Sequence, residues 1–122
     1  MSKHDELLKT LWEGINLFMS ERWIDHEIRH TERYPDAPFA DTGAALKRLI
    51  ALGASRRDLS LLCRHAAYST TFQALVDLTE RRFDTQDLGS LYEMLLSSDP
   101  SGLDGRPGSA PPPKPPISEF TD

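Results

Sequence analysis

The chain has a single cysteine, Cys63, in 122 residues. An intramolecular disulfide is excluded, and so is a cysteine-rich zinc site; a reducing compartment fits. No apolar run approaches the roughly 20 residues that a membrane span needs, and the opening "MSKHDELLKT" is too charged to read as a secretory leader. No glycine-rich loop precedes a helix, which removes the usual phosphate cradle. Ser69, Thr70 and Thr71 have no compelling base beside them, so nucleophilic catalysis has no support. No segment of quality alternates apolar and polar residues with period two, as a half-buried strand would. The expectation is one cytoplasmic all-α domain, not an enzyme, with no cofactor and no membrane contact.

Charge is present but unevenly placed. The net charge of -5 argues against a general polyanion binder. Residues 1–41 hold 5 Lys and Arg against 9 Asp and Glu, whereas residues 42–82 hold 7 against 3. Acidic and basic elements facing each other within one fold account for this pattern; a basic face for an acidic partner is the functional alternative.

Apolar spacing of three and four residues runs through Leu8, Leu11, Trp12, Ile15, Phe18, Met19 and Trp23, which predicts a helix over 4–34, with Gly14 and Ser20 as points where it can divide. Leu17, Ile24 and Ile28 form a weaker stripe on the opposite side. Pro35 disfavours helical dihedrals at Tyr34 and ends the segment. A second helix is expected over 42–52, capped by Asp41 or Thr42 and closed by Gly53, and a third over 56–82, opened by Ser55 with Asp58 three residues on. That third segment is apolar on two sides, one bulky and one of small residues, which predicts a central core helix with Leu62, Ala66, Phe72 and Leu75 hidden from solvent. Asp84 caps a last helix over 85–98. The fold expected is a four- to five-helix bundle over residues 1–98.

Beyond Ser98 the composition changes. Seven of the 9 prolines fall in residues 99–122, a Pro/Gly-rich, non-helical tail. Within it Pro111, Pro112, Pro113, Lys114, Pro115 and Pro116 favour polyproline II, a form that docks on aromatic surfaces at low entropic cost. Trp12, Trp23 and Tyr92 are such surfaces within the chain itself. The expected mode of action is binding to another protein, a second copy included, as an adaptor, accessory subunit or immunity-type inhibitor.

Two sharper motifs compete with that reading. "HEIRH" places His26, Glu27 and His30 in the H-E-x-x-H pattern, where imidazoles four residues apart share a helix face and can share a zinc ion. It resembles the metzincin signature, which puts a third ligand at Asp36. The pattern departs at Arg33, where that family turns its chain on glycine, and at Arg29 between the histidines. A structural role for the histidines, as a partly buried pair hydrogen-bonded to neighbours on the face of Leu8, Ile15 and Met19, is favoured over metal. Residues 55–80 also resemble a helix-turn-helix, but the reading helix "YSTTFQALVD" carries no Lys or Arg to meet phosphate or base edges, and an uninterrupted helix is expected instead.

Overall fold

The computed structural model describes residues 2–110, and among them there are helices and turns but no strand. Helix α1 (Lys3–Ile15) opens on a capping box: the Ser2 hydroxyl accepts from the Asp5 amide at 3.1 Å while the Asp5 carboxylate accepts from the Ser2 amide. It tightens into a 3-10 turn, Asn16–Met19, and stops at Ser20, whose backbone is extended. Of the two division points in the sequence, Ser20 is the one used. Helix α2 (Arg22–Arg33) ends at Tyr34, held at φ -133° by the proline that follows.

Helix α3 (Asp41–Ala51) begins from Ala40 without a side-chain cap, so neither Asp41 nor Thr42 serves as the cap expected of them. Its C-terminus behaves as expected. Gly53 takes φ +106°, its amide bonds to the Ile50 carbonyl, and the Ala54 amide bonds to that of Leu49, a Schellman closure. Two residues later Ser55 Oγ accepts from the Asp58 amide at 3.0 Å and starts α4 (Arg56–Glu80), the longest element. The Asp84 carboxylate caps the next segment by accepting from the amides of Asp87 and Gln86. That segment is not one helix. Gly89 and Ser90 divide it into two short pieces, α5 (Thr85–Leu88) and α6 (Leu91–Leu95), glycine being a poor helix former.

The core lies elsewhere than expected. Ile24, Leu46 and Leu59 are buried together, with Trp23, Ile28, Ile50 and Ala54 packed around them. Ile24 and Ile28 of the weaker stripe thus face the interior, whereas Leu17, its third member, is 70% exposed. The supposed main stripe of the first segment loses phase at Ser20, because an extended residue rotates α2 relative to α1, and Met19 ends up exposed. Gly43 lets α2 and α3 meet closely, since a Cβ there would run into the Thr31 hydroxyl and the Glu27 carbonyl. Thr31 Oγ1 in turn donates to the Ala40 carbonyl, closing the connector between the two helices.

The central role expected of α4 is corrected. Leu59 and Ser60 in its first turns are buried, but Leu62 is 69% exposed, Phe72 54% and Leu75 37%, and Ala66 is exposed too. The 3-10 turn and α1 flank α4, whereas α2 and α3 pack mainly on each other. The chain folds as an all-α helical bundle whose longest helix stands at the side.

After α6 the chain turns back on the body. The Asp99 carboxylate accepts from the amides of Ser101 and Gly105, and the Phe39 amide donates to the Gly105 carbonyl at 2.6 Å. Gly105 is buried at φ +72°; a Cβ there would fall 2.7 Å from Leu96 Cδ1 and about as close to the Phe39 ring. Residues 99–110 are therefore tied to the connector before α3 and are not a free tail. Pro111 to Pro116 lie outside the described residues.

Candidate interaction surface

The anchor of α4 is built from polar contacts at its first turns. Trp23 Nε1 donates to the buried hydroxyl of Ser60 at 2.9 Å, and Phe18 meets the Trp23 ring edge-on at 5.1 Å. One turn further, Arg64 Nε donates to Asn16 Oδ1 at 2.9 Å while its guanidinium lies over the Trp12 ring. Beyond Arg64 the helix continues for another sixteen residues to Glu80, about 24 Å at the rise of an α-helix.

Along that stretch the bulky face predicted as core is open. Trp12 of α1 lies 5.7 Å from Tyr68, and Tyr68 stacks on Phe72 at 6.2 Å, so the aromatic side chains form a continuous row. Leu61, Tyr68, Phe72 and Leu75 on α4, with Leu8 and Trp12 on α1, are all exposed. The small-residue face is uncovered in a different way: Cys63, Ala66, Ala67 and Thr70 form one wall of a groove of 730 Å³ whose other wall includes Leu11 and Gly14. Burial raises the Cys63 thiol above its ordinary value, which makes it a poor nucleophile at neutral pH.

The chain as a whole exposes 10160 Å². A compact monomer of its mass exposes about 6,600 Å². Large apolar side chains exposed in a contiguous row mark interaction sites on folded proteins.

The histidine motif sits away from this surface. His26 on α2 is exposed and His30 half-buried, with ring centroids 6.4 Å apart and the Tyr34 ring 5.4 Å from His30. His26 is thus not the partly buried member of a pair that the spacing suggested, because the face it continues was broken at Ser20. Asp36 lies in the turn beyond α2. Among the described residues no group of three or more His, Cys, Asp or Glu side chains gathers in a way that could hold a metal, so Asp36 does not complete a ligand set with His26 and His30. Cys63 and His65 join no such group either.

Residues 56–80 run as one unbroken helix, without the turn that a helix-turn-helix needs between its two members. Among the described residues no helix is long and apolar enough to cross a membrane. Comparison with known proteins matches the chain to no family model, no curated protein and no solved structure.

What sequence reading missed is the exposure of α4. The signal was present in the two-sided apolar pattern, which states that both faces want cover without stating whether this chain supplies it.

Proposed function

We propose that this is a small, non-catalytic cytoplasmic protein that works by binding another protein through α4, in the manner of an adaptor, accessory subunit or immunity-type inhibitor. The observation that carries the reading is the exposed row Trp12, Tyr68 and Phe72, continued by Leu75. Aromatic side chains contribute most to protein interfaces, because they bury large area at low conformational cost. The surrounding fold supports the same role: the core formed by α2, α3 and the start of α4 does not depend on the far half of α4, which is left for a partner.

The test is photo-crosslinking in cells that naturally make the protein. A benzophenone amino acid at Ser69, exposed beside the row, is expected to give a discrete protein adduct that disappears when Phe72→Glu is introduced. A cell in which position 69 yields no protein adduct would refute the assignment of this face.

A further inference from the structure

We infer that the partner on this face is a second copy of the same chain, with the two α4 helices packed antiparallel about a two-fold axis near residue 70. This rests on the reading of α4 as a binding face and names its occupant.

The first support is the period of the open face. Leu61, His65, Tyr68, Phe72, Leu75 and Thr79 are separated by four, three, four, three and four residues. Leu61, Tyr68 and Leu75 recur every seven residues, as do His65, Phe72 and Thr79, the heptad alternation of a seam that faces a single helix. The seam covers about 27 Å of helix. Trp12 and Arg64 flank it near Tyr68, the Trp12 ring lying 5.7 Å from that of Tyr68.

The second support is charge, which also sets the direction. The half of α4 from Arg56 to Ala67 contains Arg56, which is paired with Asp25 of α2 at 2.8 Å, and Arg57, Asp58 and Arg64, whose own net charge is +1; the half from Tyr68 to Glu80 contains only Asp77 and Glu80, a net -2. Parallel packing of two copies would place like charge on like charge. Antiparallel packing sets the basic half of each against the acidic half of the other, and it opposes the helix dipoles as well. A helix whose charge reverses sign about its own midpoint is complementary to itself under a two-fold rotation, the usual symmetry of homodimers. In that register Tyr68 meets Phe72 of the other copy, Leu61 meets Thr79, and His65 meets Leu75.

The third support is area. The exposed surface exceeds that of a compact monomer of the same mass by about 3,500 Å². A standard interface uses about 800 Å² from each partner. The seam and the α1 residues beside it can meet that need without disturbing the core.

Sedimentation equilibrium of the full chain between 1 and about 100 μM is the primary measurement. The expected result is a species of twice 13.7 kDa, with Phe72→Glu weakening self-association by more than about thirtyfold while the far-ultraviolet circular dichroism of the helices is kept. Orientation is read by spin labels on Arg57→Cys in a Cys63→Ser background: antiparallel α4 helices put the two labels about 40 Å apart, parallel ones within about 15 Å. A third variant guards against a misfolded Phe72→Glu: mixing Arg57→Glu with Glu80→Lys should give a heterodimer stronger than either variant with itself, because each reversed charge again meets its opposite. A folded chain that stays monomeric at 100 μM overturns the inference. So does a monomer that dimerises only after removal of residues 111–122, since that assigns the seam to the chain's own end. A monomer that still forms a crosslinked adduct with a different protein from position 69 refutes the second copy and leaves the binding face standing; a monomer with no adduct refutes both.

Discussion

Trp23 and Ser60, thirty-seven residues apart, are joined by a hydrogen bond from the indole Nε1 to the hydroxyl, 2.9 Å long. It fastens α4 to the helix carrying Ile24, beside the exposed Arg56–Asp25 ion pair at 2.8 Å, and Ser60 is buried in making it. Ser60→Ala leaves the indole N–H facing a methyl group in a part-buried site. The expected loss is about 1–2 kcal/mol of folding stability, the range for orphaning one such donor. Urea unfolding followed by circular dichroism checks it, and an unchanged midpoint would show that water replaces the hydroxyl at no cost.

Two glycines on helices should respond in opposite directions to alanine. At Gly43 a Cβ meets the Thr31 hydroxyl and the Glu27 backbone, so Gly43→Ala must push α3 away from α2 and is expected to cost at least 2 kcal/mol, toward the upper range of overpacking (about 1–3 kcal/mol). At Gly14 nothing lies within 4 Å of the added carbon, and Gly14→Ala should stabilise by about 0.5–1 kcal/mol through helix propensity. Thermal unfolding of the two variants side by side decides the matter; equal shifts would contradict the close approach at Gly43.

The turn that ties residues 99–110 to the body should be sensitive to acid. The Asp99 carboxyl is held below its ordinary value of 3.8, first by the Ser101 amide and then by that of Gly105. A depressed folded value means that the charged form is the one the turn stabilises, so the contribution is complete above about pH 4 and is lost as pH falls through the lower folded value. Asp99→Asn should reproduce the loss at neutral pH. Hydrogen exchange at the Phe39 amide, which donates to Gly105, is the readout: protection should drop in the variant and, for the native chain, only in acid. Truncation after Ser98 removes this tie, whereas truncation after Ala110 keeps it, so only the second is a clean test of the proline segment.

Helix ends were legible in the sequence wherever the signal was local. Ser55, Gly53, Pro35 and Asp84 act on backbone groups within four residues, and each starts or stops its helix in the structure as its chemistry requires. Asp41 and Thr42 failed as caps because the Phe39–Ala40 turn, held by Gly105 from the far end of the chain, already sets the entry to α3. The candidate site was half legible. Tyr68, Phe72 and Leu75 were read as one bulky face, but as an internal one.

What the sequence by itself determined is that this chain makes helices, where most of them begin and end, and which side chains on each avoid water, because these follow from dihedral preference, capping and the period of apolar residues. Only the tertiary structure decided which of those faces are covered. A single extended residue at Ser20 turned Ile24 and Ile28 inward and left Met19 outside, a change of phase that no helical period contains. With α2 and α3 committed to each other around Gly43, only the first turns of α4 found partners, and the rest of its apolar surface stayed open. Amphipathicity is a property of one helix; burial depends on whether another element arrives, and that is settled by the packing of the whole chain.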